Sequence, residues 1–141
     1  MYASRWEMAG FDMLPEGAKC RIVLEMVRAL VLIDMGELAM LTPPPLYESG
    51  IVYAFQAAED DWQDVARLMS TGAGSCNSLA AWRCAELQLQ GLDARPFVRT
   101  QMGQPQKDGT TMDVFHVIVR IYDEEGNYET EDPSAQLGMP E

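Results

Sequence analysis

The apolar residues of this chain change period at Gly91. Upstream they recur at three- and four-residue steps; downstream they fall on every second residue. A helix shows one face at a period of about 3.6 residues and a strand at a period of two. The order therefore predicts an α+β protein, with N-terminal helices packed on an antiparallel sheet. The helical part covers about 1–91 and the strand part about 93–134. At 141 residues the chain can bury a core of its own and is expected to be one domain, 1–141.

Within the helical part, residues 17–41 read as one long helix with Ile22, Met26, Ala29, Leu30 and Ile33 as its apolar stripe. The run 42-TPPP-45 stops it, because proline cannot continue a helix and restricts the residue before it. A mixed segment, 46-LYESGIVYAFQ-56, is expected to be a loop leading into a short strand. Residues 60-DDWQDVARLMS-70 read as a short helix with acids at its start, broken by Gly72 and Gly74. A third helix should run from Cys76 to Gln90, ended by Gly91, with Cys76, Ala80, Cys84 and Leu87 on one face and Leu79 beside it. The strands are expected at 93–100, 113–123 and near 127–132, the last two joined by the turn 123-DEEGN-127.

Charge and cysteine usage exclude several classes. A net charge of -12 with ten scattered basic residues gives no clustered surface for nucleic acid, nor for an anionic membrane. The most apolar region, 22-IVLEMVRALVLIDM-35, is interrupted by Glu25, Arg28 and Asp34, so no segment is expected to span a bilayer. The start MYASRWEMAG lacks a signal-peptide pattern, which points to a cytoplasmic site of synthesis. Three cysteines without a CxxC, and a single histidine, fit neither a disulfide framework nor a metal site. No cofactor and no metal are expected. The acidic runs 59-EDD-61 and 123-DEE-125 read as solvated faces, and the ten methionines as adaptable core filling.

The stretch 71-TGAGSCNSLAAW-82 puts a thiol at the start of a helix, where unpaired N–H groups and the helix dipole stabilise a thiolate. The same N–H groups can receive the oxyanion formed when that thiolate attacks a carbonyl. Gly72 and Gly74 would let a substrate backbone approach. In 114-VFHVIVRI-121, Phe115, Val117, Val119 and Ile121 alternate toward the core, and His116 falls on the other face. A hairpin around 123–127 sets either His116 or Ile118 opposite Asp132; both registers leave His116 and Asp132 on one face, within side-chain reach. A register shifted by one residue would separate them. Cysteine, histidine and aspartate together make a nucleophile, a base and an orienter.

The features at Cys76, 91-GLDAR-95, His116, 122-YDEEG-126 and 132-DP-133 follow one another in an order that resembles the transglutaminase-like superfamily, whose core is papain-like. Segments 43-PPPLYESGIVY-53, 61-DWQDV-65 and 132-DPSAQLGM-139 are similar to small transglutaminase-like proteins encoded among phage and prophage structural genes. Those relatives often carry acids beside the cysteine; this chain has Ser75 and Asn77. The resemblance implies Cys76 as nucleophile, His116 as general base and Asp132 as its orienter. It also implies the Cys76 N–H as one oxyanion donor, with Trp62 and Gln63 as candidates for the second. Tyr47 and Tyr53 could line the cleft, but tyrosines beside proline and glycine turns are more often structural.

The expected function is cysteine-dependent acyl transfer on peptide or amide bonds through a thioester, in phage particle assembly or cell-wall processing. Hydrolysis and cross-linking share the first half-reaction and stay open. The expected partners are a protein or peptide substrate and other phage structural proteins, in the virion as well as at the site of synthesis. The alternative is a virion structural or assembly protein that keeps the fold without catalysis. A redox or metal-binding module is the weakest reading, since one histidine and widely spaced cysteines close no tetrahedral site.

Overall fold

A computed structural model describes residues 10–55, 62–101 and 114–140. Helix α1 spans Glu16–Leu41. It ends because Pro43 disfavours right-handed helical backbone at Thr42, which turns left-handed at φ 44° while its N–H still bonds the Leu38 carbonyl. A 3-10 turn at Leu46–Glu48 leads to strand β1, Val52–Tyr53. Helix α2 covers Val65–Thr71, so it begins later than the sequence suggests, and residues 60 and 61 lie outside the described residues. Strand β2, Ala73–Gly74, pairs in parallel with β1. Helix α3, Cys76–Leu89, then enters the sheet formed by β3, Asp93–Gln101, β4, Val114–Tyr122, and β5, Tyr128–Glu131. The sheet is antiparallel with β4 in the middle. A last short helix, α4, spans Pro133–Gln136.

The mixed helix-and-sheet arrangement, with α1 and α3 on one face of the sheet, matches the sequence reading. The face that α1 presents does not. Its buried residues are Val23, Val27, Leu30, Val31 and Asp34, whereas Ala29 is exposed and Ile33 is 52% exposed. The reason is physical: from Ile22 to Ile33 the helix is apolar almost all round, so periodicity alone does not orient it. Its rotation is set instead by a polar contact. Asp34, fully buried, accepts a hydrogen bond from the Val65 N–H at 3.0 Å and so docks α2. Glu37 takes the Ala66 N–H at 2.9 Å and Asp64 the Arg67 N–H at 2.9 Å. Three carboxyl groups thus satisfy the first three donors of α2.

Helix α3 is buried on two sides. Ala80, Ala81, Cys84, Ala85 and Leu87 face α1 and the sheet, where Val117 and Val119 complete the core. Leu79 and Trp82 face a second cluster made with Leu46, Ile51, Val65 and Leu68. Small residues on the sheet-facing side let the helix approach closely. Among the described residues no helix is long and apolar enough to cross a membrane.

Candidate active site

Cys76 is the first residue of α3, after a Ser75 in extended backbone, and is half-buried. Its Sγ lies 3.6 Å from the carbonyl oxygen of Phe115. The sulfur therefore meets β4 one residue before His116.

The hairpin takes the second of the two even registers: Tyr122 stands opposite Tyr128 and Val119 opposite Glu131, which carries Asp132 to the level of Ile118. From there Asp132 Oδ2 lies 2.8 Å from His116 Nε2. His116 is only 3% exposed, although it stands on the face away from α1 and α3. The Asp132 bond engages Nε2 and leaves Nδ1 as the ring nitrogen to exchange protons elsewhere. The other carboxylate oxygen, Oδ1, accepts the Ala135 N–H at 3.3 Å and caps α4.

The segment before Cys76 is built for rigidity. A Cβ on Gly74 would collide with Leu68 Cδ2, and Gly72 holds φ +80° to end α2. Gly74 thus serves packing and Gly72 a turn, and the space beside Gly72 is open. Gln63, 1% exposed, also belongs to this frame. Its Nε2 donates to the Ala73 carbonyl at 2.9 Å, its Oε1 accepts from Thr71 Oγ1 at 2.6 Å, and its N–H donates to Ser78 Oγ at 2.8 Å. An amide held this way braces the loop. Trp62 is half-buried and packs on the same core as Cys76; among the described residues no hydrogen bond occupies its indole N–H. Asn77 folds back on its own turn, accepting the Ser78 N–H at 2.6 Å through Oδ1.

Tyr53 belongs near the site, in keeping with the cleft-lining alternative and not with the structural one. Burial first, then electrostatic interaction with Cys76 and Asp132, pushes its phenol above the ordinary range. Strand pairing explains the placement, since Tyr53 stands beside Gly74, two residues before Cys76. Nothing in the local sequence around Tyr53 signals this, because the contact is made across a parallel pair. Tyr47 is elsewhere: its hydroxyl donates to Glu131 Oε2 at 2.7 Å and its ring lies under Arg83. Arg83 in turn joins Glu131 to Glu86 and so ties α3 to β5 directly before Asp132. Burial opposes ionisation of Glu131, but the Arg83 and Tyr47 bonds outweigh it and hold its carboxyl below the ordinary range.

The other thiols differ in kind. Burial pushes Cys84 up to about 12, leaving almost no thiolate at neutral pH. Cys20 lies on the helix-facing side of the sheet, 3.2 Å from Thr100 Oγ1. Among the described residues no group of three or more His, Cys, Asp or Glu is placed to hold a metal ion.

No protein-family model matches the chain, and no curated protein matches it. Among solved structures the chain is similar to the periplasmic domain of TgpA from Pseudomonas aeruginosa bound to ethylmercury. That match has a TM-score of 0.46 and 18% identity over 94% of this chain and 47% of that one. A second structure of the same domain matches with TM-score 0.46 and 18% identity over 83% of this chain and 43% of the other. The chain spans less than half the length of these neighbours, and a likeness of this size carries no argument about chemistry.

Proposed function

We propose that the chain is a cysteine-dependent acyl-transfer enzyme with a papain-like, transglutaminase-like core, acting on peptide or amide carbonyls. The observation that carries the reading is the pairing of His116 with Asp132 at 2.8 Å on the strand whose Phe115 carbonyl receives the Cys76 thiol. In this reading the Cys76 thiolate attacks the carbonyl carbon and the oxygen becomes an oxyanion at the start of α3. The Cys76 N–H and the Trp62 indole are its proposed donors. The protonated His116 ring gives a proton from Nδ1 to the leaving amine, the C–N bond breaks, and a thioester remains. Water or a second amine then attacks the thioester, passes its proton to His116, and releases the sulfur. Asp132 holds the ring and stabilises its cationic form throughout. Assembly of a phage particle or processing of a cell-wall peptide is the proposed setting, supported by the resemblance of the flanking segments.

The test is alkylation by iodoacetamide near pH 6 with mass mapping. Cys76 should label faster than Cys20 and Cys84, and His116→Ala should remove the difference. Labelling of Cys76 no faster than Cys20 would leave a protein that keeps the fold for assembly alone.

A further inference from the structure

The sheet carries positive charge on the face that holds His116, in a chain whose net charge is -12. In the β3–β4 ladder Arg99 stands opposite His116 and Arg95 opposite Arg120, so all three arginines share that face. Two like charges placed directly across a ladder oppose each other, and a fold tolerates this at a cost. Arg95 is compensated by Asp93, with paired contacts at 3.0 Å, and lies over the Tyr122 ring. Arg120 is held between the Phe97 and Tyr128 rings, at 3.5 and 4.2 Å, and has no carboxylate partner among the described residues. Its Nε is buried without a hydrogen-bond acceptor, which is a second cost. Arg99 is exposed and makes no ion pair or hydrogen bond among the described residues. Asp132, a carboxylate on this face, is committed to His116 and to the Ala135 N–H.

We infer that this outer face is the recognition surface for an acidic peptide, with Arg99 receiving the carboxylate nearest the reacting carbonyl and Arg120 a second one farther along. The geometry suits an extended chain. Arg120 lies four residues beyond His116 on β4, about 13 Å at strand rise, so an extended peptide would bring carboxylates to the two guanidinium groups about four residues apart. A polyphosphate chain is the less favoured occupant, because flanking phosphates would run onto an otherwise acidic surface. The inference rests on the acyl-transfer reading only for its orientation toward Cys76.

Two uncharged-ended peptides of the same length, one with Glu and the other with Gln four residues apart, are titrated against the whole chain by calorimetry at low ionic strength. The Glu peptide should bind about threefold to tenfold more tightly, the size that two solvent-exposed charge pairs supply. Arg99→Gln should reduce that preference by removing one of the two charge pairs, and added salt should reduce it further. Bound Glu peptide should also slow iodoacetamide labelling of Cys76, a readout that a merely structural Arg99 would not move. Equal affinities, or a preference undiminished by Arg99→Gln, would overturn the inference. So would tighter binding of a short oligonucleotide than of the Glu peptide, which would assign the arginines to phosphate. These results do not depend on Cys76 chemistry: binding with unselective labelling would end the acyl-transfer reading and leave the acidic-peptide face standing.

Discussion

Asp132 uses its two oxygens differently, and this separates catalysis from stability at a single residue. Oδ2 holds His116 and Oδ1 caps α4. Asp132→Asn keeps an acceptor for the cap but places an amide where the carboxylate supports the imidazolium. Turnover should fall by about 10³ to 10⁴, as when other triads lose the orienting charge, while thermal melting stays near the parent. Asp132→Ala should lose the cap as well and melt lower, by about 1 kcal/mol of stability. A rate assay beside a melting curve checks both. Gly74 makes a second residue-scale prediction. Its Cβ would meet Leu68, a side chain with no exposed surface, so Gly74→Ala should destabilise by about 1–3 kcal/mol by denaturant titration, and a paired Leu68→Val should recover part of the loss. The His116–Asp132 pairing was legible in the sequence because the parity of a hairpin settles which side chains share a face. The work of Gln63 was not, since its partners Ala73 and Ser78 are reached only when two loops close on each other.

At the scale of elements, Asp34 decides how α1 and α2 meet. Burial pushes its carboxyl from 3.8 up to about 8; the Val65 N–H works against this, and the charges of Glu37 and Asp64 add to it. Below about pH 4 both folded and unfolded chains hold the proton, and the contribution of this group is fully present. Between about pH 4 and pH 8 the unfolded chain releases the proton and the folded chain retains it. Stability should therefore fall as pH rises through that window, by up to about 1.4 kcal/mol per unit, and level off above it. Asp34→Asn keeps the acceptor for Val65 and cannot ionise, so its unfolding free energy should lose this slope and gain on the parent toward alkaline pH. Denaturant titrations at several pH values check it; parallel slopes would mean that Asp34 is already charged in the fold. The sequence shows why the buried face of α1 was misread. An acid inside an apolar run looks like an interruption of the buried stripe, when here it is the point at which a second helix is held.

For the whole molecule, the order of elements was readable because the period switch at Gly91 coincides with the turn into β3. The two cores were not, because α3 is buried on both sides, and its polar residues Arg83 and Glu86 are themselves drawn in by Glu131 and by the Leu46 N–H, partners distant in sequence. Charge acts at this scale too. With -12 spread over 141 residues, self-repulsion opposes the compact state. Raising ionic strength from very low to physiological should lift the melting temperature by a few degrees, and a fall would mean that the Arg83–Glu131–Glu86 network outweighs the global term. The hairpin register has a further consequence, for how such a chain can vary. Since β5 is short and enters the site at its end, one residue added to the 123–127 turn would present Glu131 where Asp132 now sits, one removed would present Pro133, and either would aim Asp132 toward the helices. Descendants of this chain that change the length of that turn while keeping its chemistry should do so in steps of two.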